Sequence, residues 1–150
     1  MDIKQVNFNS PEAVYAAVTN VDADSITTGM GVAWCMGAAS ANGVNVVKTD
    51  QSADATSWTF MGIAVKDFAA NAVGRVCLQG MVDSVYLSNV GSSVTITLND
   101  PLVPGDQPGG LFSAAPTFAN SGFKYVLAIS VPVALSANGY ASGIVRGPLL

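Results

Sequence analysis

Histidine is absent from this 150-residue chain. That removes the commonest general base, the commonest zinc ligand and the usual activator of a serine or cysteine nucleophile. Acids, thiols and aromatic rings are left to consider. Asp22 and Asp24 stand two apart, as calcium ligands do, but no third acid or turn glycine follows at loop spacing. Turn hydrogen bonds through their own carboxylates account for them. Asp100 and Asp106 flank a Pro-Gly turn and read the same way. Glu12 is the one glutamate, and nothing marks out a carboxylate pair for glycoside chemistry. Cys77 lies inside an alternating strand and Cys35 is 42 residues away. Both read as small buried apolar residues, with a single bridge as the alternative. Gly29-Met30-Gly31 lacks the third glycine of a dinucleotide fingerprint and reads as a turn. Trp34, Trp58, Tyr86 and Tyr140 are the residues from which an aromatic, sugar-binding platform could be built, although buried or interface aromatics are commoner. The expectation is a chain that is not an enzyme, with no catalytic, cofactor-binding or metal-binding residues.

The elements that must carry these residues read as strands. Val94-Thr95-Ile96-Thr97-Leu98 alternates apolar and polar, the period of a half-buried strand. Arg75–Val82 alternates with Val76, Leu78 and Val82 on one side. Met61, Ile63 and Val65 share a face, with Gly62 and Ala64 opposite. Lys124–Val131 is apolar enough for a strand covered on both faces, and Tyr140–Arg146 is the last strand. Asn42-Gly43 and Asn138-Gly139 are hairpin signals. Asn89–Ser93 is a loop, and Pro104-Gly105 fits a type II turn. Many short strands with frequent turns predict an all-β, mainly antiparallel fold, a small sandwich or barrel-like domain over 21–150. Residues 1–20 lack turn glycines, and Pro11 can open a short helix through Glu12–Val18. This segment is expected to be an N-terminal arm.

Charged residues make up 11% of the chain, against about 25% in an average domain. Interface cores are depleted of charge in this way. The six basic residues, Lys4, Lys48, Lys66, Arg75, Lys124 and Arg146, are scattered, and the net charge is −4. No basic stripe exists to neutralise phosphates, so nucleic acid is not an expected partner. The longest apolar run, Tyr125–Leu135, is broken by Ser130 and Pro132 and is too short to span a bilayer as a helix. The N-terminus has no basic and apolar leader. The expectation is synthesis in a cytoplasm and no membrane partner.

The stretch Met61–Val82, with Gly62-Ile63-Ala64 entering one strand, Ala69-Ala70-Asn71-Ala72-Val73-Gly74 as the loop and Gly80-Met81-Val82 closing the second, resembles the central hairpin of tailed-phage capsid decoration proteins, also called cement or head-stabilising proteins. The downstream order is similar too: Asp100-Pro101-Leu102, Gly105-Asp106, Gly109-Gly110-Leu111, an Ala-rich loop, an apolar strand and Ile144-Val145-Arg146. The likeness covers residues 60–148. Trp34-Cys35-Met36, Trp58 and the Pro148-Leu149-Leu150 tail depart from it. The resemblance implies a subunit that sits on the outside of a virus head, made in the host cytoplasm, with the major capsid protein and its own copies as partners in a homotrimer. Residues 1–20 would then be the arm that reaches the capsid, by adding a strand to an exposed edge. Two other classes fit the composition: another self-assembling subunit (tail, fibre or pilus), and a carbohydrate-binding β-sandwich using the tryptophans.

Overall fold

In the computed structural model the chain is all-β. The structure describes residues 13–35, 43–49, 60–88, 94–105, 107–113, 125–129, 133–135 and 137–146. These contain eleven strands: β1 Val14–Asn20, β2 Gly31–Trp34, β3 Asn45–Lys48, β4 Phe60–Ala64, β5 Val73–Leu87, β6 Val94–Ile96, β7 Pro101–Pro104, β8 Leu111–Ser113, β9 Tyr125–Ala128, β10 Val133–Leu135 and β11 Gly139–Arg146. Val is their commonest residue, a type whose branched side chain fits a pleated, half-buried surface.

The pairings close on themselves twice. The sequence β1–β3–β2–β4–β5 returns to β1, which pairs with β5 from Val14↔Gln79 to Thr19↔Val73. A second ring runs β5–β11–β9–β7–β8 and returns to β5 through Leu87↔Leu111, beside the Ser88 N–H that donates to the Leu111 carbonyl at 2.9 Å. Closure removes the unpaired edges that an open sheet would present. All of these pairings are antiparallel except β1–β3 and β5–β8. Strands β6 and β10 form a separate two-stranded sheet. The barrel-like alternative is the one realised.

Strand β5, 15 residues long, belongs to both rings. Its first half, Val73–Gln79, pairs with β1, and its second half, Gly80–Leu87, pairs with β11. Gly80 stands at the handover with φ 112°, a conformation that residues with a Cβ rarely take. Val76 packs in the first core, with Val18, Ile26, Val32, Val46, Met61 and Phe68. Val82, Val85 and Leu87 pack in the second, with Leu102, Leu111, Val126 and Val145. Val82 faces Gly143 but Val85 faces Ala141, so β5 carries one extra residue there. That bulge restores the inward face after a change of parity.

Several expectations are corrected. The helix over Glu12–Val18 is not formed over the described residues, because Val14–Asn20 is β1 and bonds to both β5 and β3. Of the expected arm, residues 1–12 lie outside the described residues. On β4, Val32 faces Gly62 but Ala33 faces Phe60. The extra residue turns Met61 into the first core with Ala64, away from Ile63, which packs with Cys77 and Val65 on the other face. Of Lys124–Val131, residues 125–129 are described: β9 spans Tyr125–Ala128, with Val126 and Ala128 buried on one face and Tyr125 and Leu127 half-buried on the other. Leu98 is exposed, because β6 ends at Ile96 and Thr97–Asp100 makes a turn in which the Thr97 N–H donates to the Asp100 carboxylate at 2.7 Å. Gly139 has no positive φ, and β10 pairs with β6, so Asn138-Gly139 does not close a β10–β11 hairpin. In the β7–β8 loop the positive φ falls at Gly109 (76°). Asn42, Trp58, Asp106, Asn89–Ser93 and the Pro148–Leu150 tail lie outside the described residues.

Candidate interaction surface

The hairpin of β4 and β5 positions the surface. Ile63 pairs with Cys77 and Ala64 with Val76. A Cβ on Gly62 would overlap the Cys77 carbonyl, so only glycine lets these backbones approach. The loop between them turns at Asn71 (φ 61°), whose N–H donates to the Asn20 carbonyl at 2.8 Å. A second turn, Thr27–Met30, locks the rings together. The Gly29 N–H donates to the Ala64 carbonyl at 2.8 Å, and the Gly29 carbonyl accepts from the Tyr86 N–H at 2.8 Å. Asp67 fastens this turn to the hairpin: its Oδ1 accepts from the Thr28 N–H at 2.7 Å and the Thr28 hydroxyl at 2.8 Å. The Thr28 backbone bond, and then its hydroxyl bond, hold the Asp67 carboxyl below its ordinary value.

Between these parts lies an open groove of about 270 Å³, lined by Tyr15, Thr28, Val65, Met81, Asp83 and Ser84. Tyr15 and Met81, which line it, are exposed at 43% and 40%, an apolar rim on a face that a lone barrel would ordinarily make polar. The Arg75 guanidinium lies 4.4 Å from the centre of the Tyr15 ring, a cation–π contact that orients the ring. Strand parity sends Met81 outward, opposite Ile144, while Val82 turns inward. The outward position of Met81 was readable in the alternation of 76, 78 and 82. That of Tyr15 was concealed by the helical reading of its segment.

The residues singled out by type fall apart in space. Trp34 packs partly buried against the first core. Tyr86 and Tyr140 instead meet as direct cross-strand partners on β5 and β11, ring centres 5.5 Å apart and tilted by 51°. Asn138 Nδ2 donates to the Tyr86 hydroxyl at 2.7 Å. Asp22 and Asp24 tie onto β3: Asp22 accepts from the Lys48 N–H at 3.3 Å, and Asp24 from Lys48 Nζ at 3.3 Å. Among the described residues no group of three or more Cys, Asp or Glu side chains could hold a metal ion. Cys35, half-buried, and Cys77, buried, are not bridged.

No family model matches the chain, and no curated protein matches it. The fold does have a counterpart. The chain is similar to the N-terminal base of head fibre gp8.5 of bacteriophage phi29, with a TM-score of 0.52 over 90% of this chain and 95% of that one. Sequence identity is 12%, so the likeness is one of fold.

Proposed function

We propose that this chain is a structural protein of a bacteriophage head, attached to the outside of the shell, where it binds the major capsid protein and stabilises contacts between capsomers as a homotrimer. One observation carries the reading: the chain follows, over nearly its whole length, the fold of a protein that serves as the base of a phage head fibre. The scarcity of charge and the apolar rim formed by Tyr15 and Met81 support a surface that another protein covers. The role is binding without turnover. Symmetric copies would each add an interface and so hold several capsid subunits together.

Co-sedimentation of the purified chain with heads of the phage that encodes it tests the proposal. The chain is expected to pellet with heads and to raise the temperature at which they come apart. Met81→Asp, which changes an exposed rim position, is expected to weaken pelleting while the fold persists by circular dichroism. A chain that stays in the supernatant refutes shell attachment. Light scattering tests the trimer separately: a stable monomer refutes it, and filaments would favour a tail or fibre subunit.

A further inference from the structure

We infer that the groove at the ring junction is the seat of this chain's own N-terminal segment, with Val6 and Phe8 folded back onto Tyr15 and Met81 in the free chain. The place where the chain enters the fold carries the inference. Residues 1–12 lie outside the described residues and lead into Ala13, which packs half-buried against the second core. Strand β1 starts one residue later, at Val14, opposite Gln79. Ala13 is outside the strand, and the next β5 position, Gly80, pairs with Val145. The chain upstream of Val14 therefore leaves β5 beside the groove. Tyr15, two residues after Ala13, lines the groove on one side. Met81 lines it too, two positions beyond Gln79 along β5, a distance of about 7 Å.

The sequence of the segment suits this seat. Apolar and polar residues alternate in Val6-Asn7-Phe8-Asn9, so an extended segment carries Val6 and Phe8 on one face. From Gln5 to Pro11 there is no charged residue, so entry into an apolar groove strips no ion of its water. Asn9-Ser10-Pro11 are turn formers, placed where the chain has to reverse between Phe8 and Ala13. The five residue steps between these two reach about 17 Å when extended, enough for a reversal and a return over Met81. The groove, about 270 Å³, has the scale of one or two side chains. A tether this short gives its own segment an effective concentration of about millimolar, which a free partner has to exceed.

The consequence for binding rests on shell attachment as proposed. In the free chain the segment covers the rim that the capsid protein covers on the head, and it gives way on attachment. A protein whose binding-competent form is a fraction of the whole has its affinity reduced by that fraction. Loss of the seat should therefore strengthen attachment.

NMR of the intact free chain, with its methionine methyl groups labelled, tests the seat without any shell. The Met81 methyl is expected to show a nuclear Overhauser contact with the Phe8 ring, and its resonance should shift in Phe8→Ala. Val6→Ala, on the same face of the segment, should shift it as well. Both substitutions lie upstream of β1 and should leave the circular dichroism spectrum unchanged. Absence of the Phe8 contact, with an unmoved Met81 resonance in Phe8→Ala, overturns the inference. A contact seen only between differently labelled copies also overturns it, because the segment then sits on a neighbour. Co-sedimentation tests the consequence: Phe8→Ala should pellet with heads at a several-fold lower concentration than the wild type, and equal or weaker pelleting overturns the competition. If neither chain pellets while the Met81–Phe8 contact is present, shell attachment is refuted and the seat is upheld.

Discussion

At Asp67 a fully exposed carboxylate accepts two hydrogen bonds from one residue, Thr28. Both bonds favour the ionised form and lower its folded-state pKa below 3.8. A carboxyl whose pKa is lower folded than unfolded stabilises the fold above its unfolded pKa. That contribution is lost as pH falls through the folded value. Wild-type protein should therefore lose more stability than Asp67→Asn when acidified from neutral pH to below the carboxylate range, as urea melts at the two conditions would show. Gly80 raises a different question, because its φ of 112° excludes a side chain without strain. Gly80→Ala should cost on the order of 1–3 kcal/mol, measured as a drop in the unfolding midpoint.

At the scale of the strand, alternation carried much of the information. Val76 and Val82 were legible as core positions from spacing alone, and both are buried. Two bulges were not legible. The extra residue on β4 sends Met61 and Ile63 to opposite faces, and the one on β5 puts Val82 and Val85 in the same core. A period-two pattern cannot announce its own phase slip, which depends on the partner strand. The β1 segment misleads for a related reason. Pro11-Glu12 and three alanines resemble a helix start, whereas pairing on both sides, to β5 and β3, outweighs that weak local preference. This sets bounds on truncation. Removing residues 1–12 should leave a folded chain, whereas removing 1–20 takes out β1 and opens the first ring. Thermal melts should show a cooperative transition for the first variant and none for the second. Of the candidate surface, the outward position of Met81 was legible. The Tyr86–Tyr140 pairing was not, since the two residues are 54 apart (140 − 86) and only β5–β11 register joins them.

At the scale of the whole molecule, sharing β5 couples the two rings. The link is reinforced where the Gly31 N–H donates to the Gly109 carbonyl at 2.7 Å and the Gly109 N–H donates to the Thr49 carbonyl, so the β7–β8 loop is bonded to the first ring. Damage to one core should reach the other. Leu102 is fully buried in the second core, and Leu102→Ala should cost about 2–5 kcal/mol. Amide exchange should then speed up at Val32 and Val46 in the first core as well as near the mutation. Acceleration confined to the second ring would mean that the rings open separately.

The same shared strand determines where the fold begins and ends. Val145 faces Gly80 and Val14 faces Gln79, so the last strand stops and the first strand starts at consecutive positions along β5. The topology is thus close to a loop without a fixed beginning, and it should tolerate circular permutation. A short linker from Arg146 to Ala13, with new termini cut at Gly43, an exposed glycine with nothing within 4 Å of where a Cβ would sit, should yield a chain with the parent's circular dichroism spectrum. The order in which its strands are synthesised would change, while every pairing around β5 would be kept.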